Sequence, residues 1–125
     1  MDFKSLVKIA IASGNRIDTY WRNFAAINVV IVGWRVSVGT NLSCPLCLGL
    51  CLVYLLGSLT SMLTLIRSYV LFQYILLELK AKLKDASLTE KSNKLISRMG
   101  FKNRIAMTIS IHIVMACAIL YLVIK

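Results

Sequence analysis

Two long apolar segments constrain the fold of this chain more than any other feature of its sequence. Residues 42–66 and 105–124 are almost entirely apolar, and an α-helix that crosses the hydrocarbon core of a bilayer needs about 20 such residues. Hydrophobic residues make up 58% of the chain and are concentrated in these blocks. The scarcity of proline and glycine, and the lack of long alternating patterns, argue against a transmembrane β-barrel. The sequence therefore predicts an all-α integral membrane protein.

The length of 125 residues allows one membrane domain, for which we predict three spanning helices. Residues 16–38 form the first, residues 42–79 a long second helix that projects into the cytoplasm, and residues 104–124 the third. As one helix, the second segment would extend to about 60 Å, which is about twice the hydrocarbon thickness. A break near Gly57 would give four segments instead. Because an isolated glycine is a weak breaker, we favour one long helix.

The segments outside these spans are predicted to lie at the membrane surface. Residues 1–13 place apolar side chains on one helical face and Lys4 and Lys8 on another, which is typical of an amphipathic helix in the interface. Ser13-Gly14-Asn15 is expected to end that helix. Residues 80–104 form a basic loop, in which a capping box at 87–90 predicts a short helix.

The basic residues predict how the chain is oriented. The formal net charge is +10, and the loop between the first two spans contains no charged residue. The positive-inside rule therefore places the N-terminus and residues 80–104 in the cytoplasm. We expect a bacterial inner membrane, with the bilayer itself as a partner. No basic and aromatic patch outside the spans indicates nucleic-acid binding. The candidates for contact with lipid headgroups are Lys4, Lys8, Arg35 and Arg67.

Three cysteines share one face at the start of the second span. Cys44, Cys47 and Cys51 follow i, i+3 and i+7 spacing, with Pro45 inside a C-x-x-C motif. They are candidates for a disulfide or redox pair on the outer side of the membrane, and packing within the helix is the favoured alternative. Since no histidine or second C-x-x-C lies nearby, we expect no metal site.

Small and hydroxylated residues form a stripe further along the second span. This hydroxyl stripe consists of Gly57, Thr60, Ser61, Thr64 and Ser68. Such a stripe allows helices to approach closely, and in an oligomer it could also line a polar pore.

The third span contains a histidine near its middle, and the first contains two asparagines. His112 is a candidate for a pore or proton relay, because ionisable groups at that depth are costly and often functional. A neutral imidazole bonded to another helix is the alternative that we favour. Asn23 and Asn28 are also expected to hydrogen-bond across helices.

These features predict a non-enzymatic protein that self-associates, with an oligomeric ion-conducting pore as its most concrete activity. All five acidic residues lie outside the apolar blocks, so no carboxylate pair is placed for acid–base catalysis. Nucleotide-binding glycine motifs are missing, and we expect no cofactor. The first alternative is an accessory subunit of a larger membrane complex. A small-molecule transporter is another, and a holin-like lysis protein, which the chain resembles in size and basic charge, is a third.

Overall fold

The protein forms three long α-helices in the computed structural model, which describes residues 2–39, 42–85 and 101–125. Helix α1 spans Phe3–Val38, α2 spans Cys44–Asp85, and α3 spans Phe101–Ile124. The all-α prediction is confirmed. The short helix predicted within residues 80–104 falls mainly on 86–100, outside the described residues.

Helix α1 runs without interruption through the predicted break at residues 13–15, so that prediction is wrong. A single glycine in a helix costs only about 1 kcal/mol relative to alanine. Here Ser13 is half-buried between the buried residues Leu6 and Ile17 of α1, so packing of α1 opposes the break. The helix ends at Val38, where Gly39 has a φ of +71°, a conformation that glycine adopts at little cost.

Helix α2 is one continuous helix of 42 residues, as predicted, and Gly57 does not interrupt it. Its start follows a short connection from α1, and Pro45 lies in its first turn, where proline is tolerated. Within the described residues, two helical segments are long and apolar enough to cross a membrane, namely Cys44–Lys82 and Asn103–Ile124.

The buried and half-buried side chains of α1 and α2 recur at intervals of three or four residues over most of both helices. This spacing is typical of helices that pack side by side at a shallow angle. We call these two rows of residues the seam; α1 and α2 pack against each other along it, and its residues Arg35, Cys47 and Ser61 also contact α3. On α1 it consists of Leu6, Ala10, Ser13, Ile17, Trp21, Phe24, Asn28, Ile31 and Arg35. On α2 it consists of Cys47, Cys51, Tyr54, Ser58, Ser61, Leu65, Tyr69, Phe72 and Leu76.

Two apolar clusters fix the order of the helices. The Tyr69 cluster joins Ile17 of α1 to Leu65 and Tyr69 of α2, with Ile105 of α3 packed against it. The Tyr54 cluster consists of Tyr54, Ile119 and Val123, and Ile31 of α1 packs against it. Helices α1 and α3 are therefore parallel to each other, and α2 is antiparallel to both.

The N-terminal turns of α1 extend the seam beyond the Tyr69 cluster and do not form a separate helix. Leu6 is 2% exposed and Leu76 is 8% exposed. The antiparallel order brings the start of α1 beside the C-terminal part of α2, which continues for 16 residues past Tyr69, or about 24 Å. The predicted interfacial helix at 1–13 is thus the first third of α1.

The burial of Leu6 gives a test of this packing. We expect Leu6→Ala to lower the free energy of unfolding in detergent micelles by about 2–4 kcal/mol, because it removes a buried side chain and leaves a cavity. Ile11→Ala is the matched control, since Ile11 is 61% exposed. The control should change stability by less than about 0.5 kcal/mol. Equal effects of the two substitutions would contradict the continuous seam.

Candidate functional site

His112 lies at the centre of the bundle, between α1 and α2. It is 2% exposed. Its ring stacks on Phe24 with a centroid distance of 4.0 Å and an interplanar angle of 26°, and its centroid lies 5.6 Å from that of Trp21. The imidazole is thus enclosed by aromatic rings of α1, and it faces the interior of the protomer.

Both nitrogens of His112 have polar neighbours. Nδ1 is 2.8 Å from the carbonyl oxygen of Thr108. Because a carbonyl can only accept, Nδ1 carries the hydrogen. In the neutral ring Nε2 is then an acceptor, and it lies 3.5 Å from the hydroxyl oxygen of Ser61. His112 thus contacts α2 across helices through Ser61, whereas the neutral charge of the ring stays a prediction.

Two side-chain hydrogen bonds connect α1 to α2. The indole nitrogen of Trp21 donates to the Tyr69 hydroxyl at 2.9 Å. The Tyr54 hydroxyl donates to the side-chain oxygen of Asn28 at 2.6 Å, and the Asn28 amide nitrogen donates to the Phe24 carbonyl at 2.7 Å. The expected cross-helix bond is thus confirmed for Asn28, whereas Asn23 is exposed.

Arg35 is buried, which differs from its predicted contact with lipid headgroups. It is 6% exposed. Its Nε donates to the Leu122 carbonyl at 3.0 Å, and its Nη1 donates to the Gly39 carbonyl. The last carbonyls of a helix lack intrahelical donors and carry partial negative charge. Arg35 therefore joins the C-terminal ends of α1 and α3, while Lys4, Lys8 and Arg67 are exposed.

The three clustered cysteines are free thiols with different surroundings. Cys44 is exposed. Cys47 and Cys51 are half-buried against the Tyr54 cluster, and the Cys47 thiol donates to the Val123 carbonyl at 2.9 Å. This environment supports the packing alternative for Cys47 and Cys51. Among the described residues, no group of histidine, cysteine or acidic side chains could hold a metal ion.

The hydroxyl stripe is divided between two environments. Ser61 lies beside His112, as described above. The hydroxyls of Thr60, Thr64 and Ser68 each donate to the carbonyl four residues earlier in α2, at 2.8 Å. These bonds satisfy the hydroxyls within their own helix, so their surface can face an apolar neighbour at little cost.

An open groove of about 510 Å³ lies between α1 and α2 beside the Tyr54 cluster. Its walls run from Tyr20 to Trp34 on α1 and from Thr64 to Leu50 on α2, and α3 lines it through Ile119, Leu120 and Val123. A Cβ atom added to Gly57 would meet no other atom within 4 Å. The small residues of the stripe therefore face an unfilled space within the protomer, which the sequence pattern did not indicate.

A double-mutant cycle tests the buried Asn28–Tyr54 bond. We expect Tyr54→Phe and Asn28→Ala each to destabilise the protein, because each leaves a buried polar group without its partner. Their coupling energy should be about 0.6–1.7 kcal/mol, the range found for hydrogen bonds between membrane helices. Tyr74→Phe is the control, since Tyr74 is 68% exposed. A coupling energy of zero in denaturant titrations would show that the bond does not contribute.

Comparison with known proteins gives no further guide to the site. The chain matches no protein-family model, no curated protein and no solved structure.

Proposed function

We propose that this chain is a three-span integral membrane protein whose copies associate in the bilayer, and that the oligomer conducts ions. The three-span arrangement is supported by the levels of the arginines. Arg16, Arg67 and Arg104 belong to different helices, and each lies within two residues of a member of the Tyr69 cluster. All three are exposed, so the bundle carries a ring of positive charge at one level.

The opposite boundary of the proposed membrane layer lies near the Tyr54 cluster. From Arg16 to Arg35 is 19 residues and from Arg104 to Lys125 is 21. Either distance corresponds to about 30 Å along a helix, which is the hydrocarbon thickness. Although α1 is less apolar than α2 and α3, it packs on both of them at both levels. A layer that contains α2 and α3 thus also contains α1.

The Lys and Arg distribution supports an orientation for this layer. The arginine ring lies on the side of the layer from which α2 projects, and Lys80 and Lys82 lie in that projecting part. Positively charged residues favour the cytoplasmic side of a membrane. We therefore propose that the N-terminus is cytoplasmic, in a bacterial inner membrane.

Self-association is supported by how little of the spanning helices one protomer buries. Within their most apolar stretches, only 6% of α2 and 22% of α3 are buried. Helix α3 also exposes a face with three small residues, Ala106, Ser110 and Cys117, beside Ile113. Small residues allow helices to approach closely in membranes. This face of α3 is our candidate contact between copies.

Ion conduction is proposed along a path between copies. His112 and Ser61 face each other inside the bundle, so the path is not placed there. Ser110 on α3 is an exposed hydroxyl residue about 10 Å from the arginine level. Hydroxyls at this depth could line a polar passage in an assembly.

Native mass spectrometry of the detergent-solubilised protein, combined with ion flux into liposomes, tests this function. We expect a defined oligomer and measurable flux. Ser110→Leu should shift the population toward the monomer and reduce flux at least about fivefold, because bulk on a small-residue face separates the helices. Met107→Leu, which changes an exposed residue beside that face, should leave both unchanged.

A strictly monomeric protein without flux would overturn the proposal. Stoichiometric co-purification of an unrelated membrane protein would favour an accessory subunit instead. Substrate-dependent uptake by the same liposomes would favour a transporter.

A further inference from the structure

The groove between α1 and α2 has a positively charged mouth at the level of the arginine ring. Its walls begin at Tyr20 on α1 and at Thr64 on α2. Arg16 lies four residues before Tyr20, and Arg67 lies three residues after Thr64. Residues three or four apart share a helix face. The two exposed arginines therefore continue the two walls of the groove, one turn beyond its end.

The groove is long enough for one lipid chain. Each wall extends over 15 residues of helix, or about 21 Å from the first to the last. Half of the hydrocarbon core, the depth that one leaflet reaches, is about 15 Å. A chain that enters beside the arginines can thus lie fully inside the groove, against apolar residues such as Ile27 and Ile31 and over the open position at Gly57.

We propose that this groove binds one anionic membrane phospholipid, with an acyl chain in the groove and the phosphate between Arg16 and Arg67. This inference rests on the three-span placement proposed above and is independent of oligomer formation. Arginine suits phosphate, because its planar guanidinium can donate two parallel hydrogen bonds. A basic pocket between helices on the cytoplasmic side is a recurring form of anionic-lipid site.

Asn23 supports the placement of the lipid backbone. It lines the groove and is exposed, seven residues from Arg16, which is about 10 Å along α1. Its carboxamide has no hydrogen-bond partner among the described residues. An unpaired amide facing hydrocarbon is costly. The ester carbonyls of a phospholipid carry acceptors just below the phosphate, so they can accept from the Asn23 amide.

The charges favour a lipid over a helix from a second copy as the occupant. Every copy carries the same pair of arginines at the groove mouth, and the chain has a formal net charge of +10. Bringing two such mouths together opposes like charges, whereas an anionic headgroup neutralises them.

Native mass spectrometry with lipid add-back tests the site. Delipidated wild-type protein is titrated with phosphatidylglycerol, with phosphatidylcholine of the same chains, and with inorganic phosphate. We expect one phosphatidylglycerol per protomer, bound at least about tenfold more tightly than phosphatidylcholine because of the two cationic contacts. Inorganic phosphate should neither bind nor compete, since it lacks the acyl chain.

Two pairs of variants separate headgroup from chain. Arg16→Gln combined with Arg67→Gln should weaken phosphatidylglycerol binding about tenfold or more, whereas Arg104→Gln, at the same level on α3, should not. Gly57→Leu should block the groove without disturbing the helix, because the added side chain enters open space and leucine has the higher helix propensity. Gly49→Leu, where a Cβ atom also meets nothing but which does not line the groove, is its control.

Three results would overturn the proposal. Equal affinity for the two lipids would show that the arginines recognise no headgroup. Unchanged binding in the arginine pair or in Gly57→Leu would show that the lipid lies elsewhere on the surface. Loss of oligomers in Gly57→Leu with intact lipid binding would assign the groove to a second copy. The same spectra report oligomeric state and lipid adducts separately, so failure of either proposal is recognised independently.

Discussion

The seam between α1 and α2 is the constraint on which the rest of this structure depends. Its buried side chains keep three- and four-residue intervals over about 30 residues of each helix, and such regularity holds two helices side by side along their whole length. Helix α3 is shorter, and among the described residues its clusters with this pair run from the Tyr69 cluster to the Tyr54 cluster. Beyond the start of α3, helices α1 and α2 continue side by side, and Leu6 and Leu76 are buried there. The first turns of the projecting part of α2 are therefore a packed extension of the seam.

Asn28 and Arg35 can be buried in the seam because each is hydrogen-bonded. Asn28 is held by Tyr54 and by the Phe24 carbonyl, and Arg35 is held by two helix-terminal carbonyls. A buried polar group costs little once it is hydrogen-bonded and several kcal/mol if it is not. The Asn28–Tyr54 and Arg35–Leu122 bonds also make the register of the helices specific, because a shift by one turn would separate both pairs.

The sequence was sufficient to predict the helices but not the residues that each helix contacts. The apolar blocks at 42–66 and 105–124 correspond to the two helices that are long and apolar enough to cross a membrane, and the continuity of α2 follows because Gly57 is a weak breaker and no proline comes after Pro45. The predicted break at 13–15 was wrong because those residues only weakly disfavour a helix. The burial of Leu6, which supports the helix there, depends on α2, and α2 lies far away in sequence. Arg35 illustrates the same limit. Its position near a helix end predicted contact with headgroups, but the carbonyl of Leu122 that accepts from it is supplied by another helix.

The division of α2 into two sides connects this architecture to function. One side carries the seam and has a fixed partner at nearly every turn. The hydroxyl stripe adjoins the seam and shares Ser61 with it, and the hydroxyls of Thr60 and Thr64 donate to carbonyls of their own helix and need no other partner. A groove wall of this kind has an open position at Gly57 and no hydroxyl that needs a partner, so it can distinguish occupants only by their shape. Specificity for the anionic headgroup of the proposed lipid must then come from Arg16 and Arg67 at the mouth of the groove.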